Sequence, residues 1–129
     1  MVALCVDTVV ACDAASSLAV VRFEIKRRRF VEAGRALRRA LQQYLRAECR
    51  YYRCLPGRRT SSAALADALQ RAGVFSALAH TWMGEIADVA ADAIAGRLVP
   101  LSKFDEALRT LEALLDACPY LVAEKGGRA

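Results

Sequence analysis

Asparagine is absent from this sequence, histidine and tryptophan occur once each, and only three prolines and seven glycines interrupt 129 residues. The single histidine, His80, excludes the clustered imidazoles of a histidine-rich metal site, and Cys49 and Cys54 lack the CxxC spacing of a zinc ligand pair, so no metal site is expected. No glycine-rich phosphate loop, nucleophile elbow or paired-carboxylate constellation stands out, and accordingly no catalytic residue and no cofactor is assigned. His80 lies in an apolar stretch beside Trp82, which suits a packed or hydrogen-bonded residue better than a general base. Long hydrophobic runs are missing too. The most apolar stretch, Met1 to Cys12, is interrupted by Asp7 and followed by Asp13, far short of the roughly 20 uncharged residues that a membrane span requires. No basic start precedes that stretch and no lipidation motif is present, so the expectation is a cytoplasmic protein without a membrane partner.

What is abundant is apolar surface and arginine. Hydrophobic residues make up 56% of the chain, enough to bury one core, and the length fits one domain. That domain is expected over residues 1–122, with a flexible tail at 123–129. Arginine far outnumbers lysine and amide side chains are few, a composition that fits a GC-rich genome or a hot habitat. The cysteine count is odd, with Cys5, Cys12, Cys49, Cys54 and Cys118, which leaves at least one thiol unpaired within the chain. Small buried hydrophobes, with room for one disulfide, describe them best.

Proline and glycine divide the sequence into helical stretches, and the expectation is an all-α protein, an antiparallel bundle of four to five helices. The clearest helix spans about Phe30 to Tyr52, where Phe30, Gly34, Leu37, Leu41, Tyr44 and Tyr51 recur at helical steps as an apolar stripe. Glu48 interrupts that stripe beside Tyr44 and Tyr51, and an arginine, a tyrosyl hydroxyl or an intrahelical neighbour is expected to satisfy it. Thr60 or Ser61 can cap a short helix that ends at Ala72, with Gly73 as its left-handed stop. A longer helix runs from about Ser76 to Ala95 and carries Leu78, Met83, Ile86, Val89, Ala90 and Ile94, with Glu85, Asp88 and Asp92 as an acidic edge. Acids at that spacing can share a cation, but a solvated helix face is the better explanation of them. Ser102 with Asp105 resembles a capping box that starts the last helix, whose seam is Leu108, Leu111, Leu114 and Leu115. The first segment is ambiguous: Val21, Phe23 and Ile25 alternate as in a strand, yet Ala11 to Ala19 offers no tight turn, which favours helix from about Val6 to Arg28. The pattern F-x-E-A-x-R-x-L occurs at Phe30 and again at Phe104, which keeps a short helical-repeat scaffold of the tetratricopeptide kind as an alternative architecture.

Charge is segregated along the chain. Residues Arg22 to Arg59 hold 13 basic and 3 acidic side chains, a net +10, whereas the remainder holds 6 basic and 11 acidic, a net −5. Opposite the apolar stripe of the second helix, Arg35, Arg39, Gln42, Arg46, Arg50 and Arg53 fall at three- and four-residue steps, so guanidinium groups line one edge. With Arg27, Arg28 and Arg29 before it and Arg58 and Arg59 beyond, this edge is the candidate binding surface. It suits an acidic protein partner, or an RNA or DNA backbone with tyrosines stacking beside it. An ion-paired, solvated face explains the same arginines without any ligand.

The run Lys26-Arg27-Arg28-Arg29-Phe30-Val31-Glu32-Ala33, then Leu37 and Leu41-Gln42-Gln43-Tyr44-Leu45-Arg46-Ala47, resembles the HEPN superfamily of small helical bundles. The order of a short third helix, a long fourth one and the closing Leu101-Ser102-Lys103-Phe104-Asp105-Glu106-Ala107-Leu108 follows the same plan. The resemblance implies a bundle that forms a homo-oligomer and partners a nucleotidyltransferase, a nucleotide or RNA. Catalytic members carry an arginine, a polar residue and a histidine near the end of the long helix. Here that region reads Asp92-Ala93-Ile94-Ala95-Gly96-Arg97, without histidine, so the resemblance implies a non-catalytic interaction module and carries over no catalytic residue.

Overall fold

The computed structural model describes residues 2–57 and 60–118, with side chains from Ala14 onward. Five helices follow one another: α1 (Val2–Lys26), α2 (Phe30–Tyr51), α3 (Ser62–Arg71), α4 (Ala77–Ile94) and α5 (Leu101–Asp116), and there is no strand among the described residues. The expected tail at 123–129, and Arg58 and Arg59, lie outside the described residues.

The first segment is helical because its alternation does not survive as a pattern of burial. Ala14, Leu18 and Val21 are buried and Ile25 half-buried, at steps of three and four, whereas Phe23 is 54% exposed. A strand would have put Val21, Phe23 and Ile25 on one face. α1 packs antiparallel to α2, with the Ser17 hydroxyl donating to Gln43 Oε1 at 2.8 Å and Arg22 bridging to Glu112 of α5.

α2 is the central element, packed against all four other helices. Gly34, Leu37, Leu41 and Tyr44 of its apolar stripe are buried and Phe30 is half-buried, while Tyr51, at the end, is exposed. Small residues widen the buried arc: Ala33, Ala36, Ala40 and Ala47 are almost fully enclosed. They let helices approach closely, most of all where α2 crosses α4. A Cβ on Gly34 would lie 2.7 Å from Ala93 Cβ and 3.0 Å from the Ala90 carbonyl oxygen. The contact also shows that the two helices run antiparallel, since Tyr44 at the other end stacks on Phe75, just before α4, at 6.5 Å. The core face of α4 is Met83, Ile86, Ala90 and Ala93, and Leu78 points outward at 59% exposure.

The two copies of the F-x-E-A-x-R-x-L pattern meet in space. Phe30 stacks on Phe104 at 6.1 Å, and Ala33, Leu37, Ala107 and Leu111 are all buried. The pattern therefore gives α2 and α5 equivalent core-facing sides within one bundle.

Helix ends follow simple chemistry. Ser61 and Ser76 cap α3 and α4, accepting from the Ala64 and Ala79 amides at 3.2 and 3.1 Å, and Thr60 instead donates to the Gly57 carbonyl. The capping box expected at Ser102 does not form. Pro100 is the residue that starts α5, its carbonyl accepting from the amides of Lys103 and Phe104. Ser102 is thereby carried inside the first turn, where it cannot cap, and Asp105 accepts from Arg109 one turn on, at 2.9 Å.

Two glycines in helix interiors give predictions of opposite sign. Gly34→Ala gains helix propensity but overpacks the α2–α4 crossing, and denaturant unfolding should show a loss of about 1–2 kcal/mol. Gly84→Ala, in α4 with nothing within 4 Å of the new methyl group, should gain about 0.5–1 kcal/mol.

Candidate nucleic-acid interface

The arginine edge arises because the α2 stripe is buried on three sides and the remaining arc has no helix over it. Arg35, Arg38, Arg39 and Arg50 are exposed along this arc, Arg53 follows at its end, and Arg46 is half-buried among them. Arg38 was not part of the expected ladder. It lies about 60° to one side of Arg35 on the helical wheel, and only the position of the neighbouring helices shows that this side is open. From the turn before α2 to Arg50 the edge is roughly 30 Å long, at 1.5 Å per residue.

The three arginines of the α1–α2 turn are held differently. Arg29 reaches Glu24 at 3.3 Å and Glu32 at 3.7 Å, and Glu24 is only 8% exposed beneath the turn. Arg27 lies over the Phe23 ring at 5.3 Å, and Arg28 is exposed without such a partner. Arg29 is thus partly neutralised and serves the turn. Arg28, Arg35, Arg38, Arg39, Arg50 and Arg53 make no ion pair among the described residues. The pairs at the start of this surface go to Arg29, from Glu24 of α1 and Glu32 of the first turn of α2, so an ion-paired solvated face does not describe Arg35, Arg38, Arg39 and Arg50.

Arg28 and Arg53 share a backbone feature. α1 and α2 end with the amide three residues beyond the helix returning to a carbonyl of the last turn, Arg29 to Glu24 at 2.9 Å and Cys54 to Cys49 at 2.9 Å. The residue between must be left-handed, and it is Arg28 at φ 58° and Arg53 at φ 56°. α3 and α4 end in the same way but place Gly73 and Gly96 there, at φ 78°. The two non-glycine stops flank the basic edge.

A second cluster lies inside the bundle. Glu48 is 5% exposed, and the Cys118 thiol, two residues beyond α5, donates to its Oε1 at 3.3 Å, a partner the sequence spacing does not indicate. Burial, with Glu48 nearby, raises the Tyr44 hydroxyl well above its ordinary range. Burial and the neighbouring Cys54 push the Cys49 thiol up to about 12. Cys49, Cys54 and Cys118 are free thiols, and the side chains of Cys5 and Cys12 lie outside those described. His80 is half-buried at the surface between α3 and α4, its Nε2 2.6 Å from Asp67 Oδ1. Among the described residues no group of three or more histidine, cysteine or acidic side chains could hold a metal ion, and no helix is long and apolar enough to cross a membrane.

The chain matches no family model, no curated protein and no solved structure.

The left-handed stops and the buried thiol each give a prediction. Arg53→Gly should raise stability by up to about 1 kcal/mol, whereas Arg39→Gly, in the helix interior, should lower it by about as much. For Cys49 the unfolded thiol ionises near pH 9 and the folded one near 12, so above pH 9 the unfolded chain releases the proton first. The stability present below pH 9 should decline as pH rises toward 12, and at pH 8 iodoacetamide should modify Cys49 only after unfolding, as read by peptide mass.

Proposed function

We propose that this chain is a non-catalytic binding module that holds the phosphate backbone of RNA or DNA along the arginine edge of α2. The observation that carries this reading is the uncompensated row Arg35, Arg38, Arg39 and Arg50, exposed on one helix without an acid paired to any of them among the described residues. A second feature separates a phosphate backbone from an acidic protein. Protein interfaces centre on buried apolar anchors, and charged residues are depleted there. Between Arg35 and Arg50 the edge presents no exposed large hydrophobic residue. Its chemistry is that of cations, with Gln42 among them, repeated along one helix edge, which is how backbone contacts are made without reading sequence. Arg28 fits the same role, because it occupies a position where glycine would cost less. A HEPN-like homo-oligomer with a nucleotidyltransferase partner draws on helix order and the sequence resemblance, and remains a proposal of lower rank.

Binding to a fluorescent single-stranded RNA and a DNA duplex, titrated across salt, tests the reading. Affinity should fall steeply between 50 and 200 mM salt, by roughly 10²-fold or more for four to six phosphate contacts. Arg35→Glu with Arg39→Glu should abolish binding, while Arg109→Glu on α5 should leave it unchanged. Absence of binding at 50 mM salt, or equal binding by the double variant, overturns the proposal.

A further inference from the structure

A groove runs between the C-terminal half of α4 and the N-terminal half of α5, with a volume of about 530 Å³. Its walls include Trp82, Val89 and Leu98, and its rim carries Glu85, Asp88, Asp92 and Glu106 against a single Lys103. Asp92 pairs with Arg97 at 2.9 Å; the other three acids are exposed and unpaired among the described residues. Leu98 is 98% exposed and Trp82 40%. An apolar floor with an acidic rim calls for an occupant that brings an apolar anchor flanked by cations.

The chain carries such an element at the opposite end of the bundle. At the C-terminus of α2, Arg50, Tyr51, Tyr52 and Arg53 form an exposed knob, its two rings edge to face at 4.9 Å. Tyrosine and arginine are the residues that dominate anchoring positions in interfaces. Since α2 and α4 are antiparallel, with Gly34 against Ala93 and Tyr44 against Phe75, the groove is level with the N-terminal half of α2 and the knob is fixed roughly 20 Å from its centre along that helix. A molecule cannot fill its own groove. We infer that the α4–α5 groove receives the Arg50–Arg53 knob of a second copy of this chain. Both faces belong to every copy, so the contact either closes as a reciprocal two-fold pair, each knob in the other's groove, or repeats into chains or a ring. The inference shares Arg50 with the nucleic-acid reading but does not rest on it: the groove acids and the tyrosine pair have no part in that reading, and Arg35→Glu with Arg39→Glu leaves knob and groove intact.

Trp82 is the only tryptophan, so its emission reports the groove directly. With nucleic acid removed, concentrating the protein at low salt should give a dimer or larger species by light scattering, and should shift Trp82 emission to the blue and shield it from acrylamide. Both effects should reverse in high salt. A groove variant, Glu85→Lys with Asp88→Lys, and a knob variant, Arg50→Ala with Arg53→Ala, should each be monomeric alone. Mixed, they should form a capped 1:1 dimer, since one intact knob and one intact groove remain, and that dimer also shows that both variants fold. A wild-type chain that stays monomeric at low salt, leaving the groove to a basic segment of another protein, overturns the inference. So does self-association retained by either variant, or a mixture of folded variants, checked by circular dichroism, that remains monomeric.

Discussion

The close crossing of α2 and α4 at Gly34 is the contact on which the other helices depend. With no side chain at Gly34, the α4 backbone at Ala90 and Ile94 comes to within about van der Waals distance of α2, and Ala93 occupies the space a side chain would have taken. That approach lets α2 bury Leu37, Leu41 and Leu45 together, and leaves only one arc of a 22-residue helix uncovered. The arginines occupy this arc because every other direction is filled. The basic edge is therefore a by-product of core geometry in position, although not in composition: lysine or glutamate would be tolerated at the same places.

Core geometry does not account for the composition. Helix stability accounts for arginine on an exposed helix face but not for arginine at a left-handed stop, where Gly73 and Gly96 show the cheaper solution in the same molecule. Arg28 and Arg53 stand at the two ends of the edge. The acids that could have neutralised α2 are placed on α4 and α5 instead, where they border the groove.

Much of the architecture was legible in the sequence, because periodicity and punctuation both report local physics. The extents of α2, α3 and α4 follow from apolar spacing and from Ser61, Ser76, Gly73 and Gly96. The helical state of α1 could be read only against its alternating Val21, Phe23 and Ile25, since the partner that buries Val21 and exposes Phe23 is another helix. Ser102 misled for a related reason: its spacing to Asp105 is that of a cap, but helix initiation at Pro100 overrides it. The arginine edge was legible as a line; that Arg35, Arg38, Arg39 and Arg50 pair with no acid among the described residues was not, because ion pairing depends on which elements become neighbours. The groove was invisible in the sequence. Its acids read as a solvated edge, and only the separation of α4 from α5 places Leu98 and Trp82 between them.

Charge segregation has a kinetic consequence. With the basic residues concentrated from Arg22 to Arg59 and an acidic excess on α3 to α5, the bundle carries a permanent electric dipole as well as a net charge of +5. In the field of a polyanion such a molecule experiences a torque before it makes contact, so it arrives with α2 already turned forward. The encounter is then faster than random orientation would permit, within the roughly 8–10 Å over which physiological salt leaves the field unscreened.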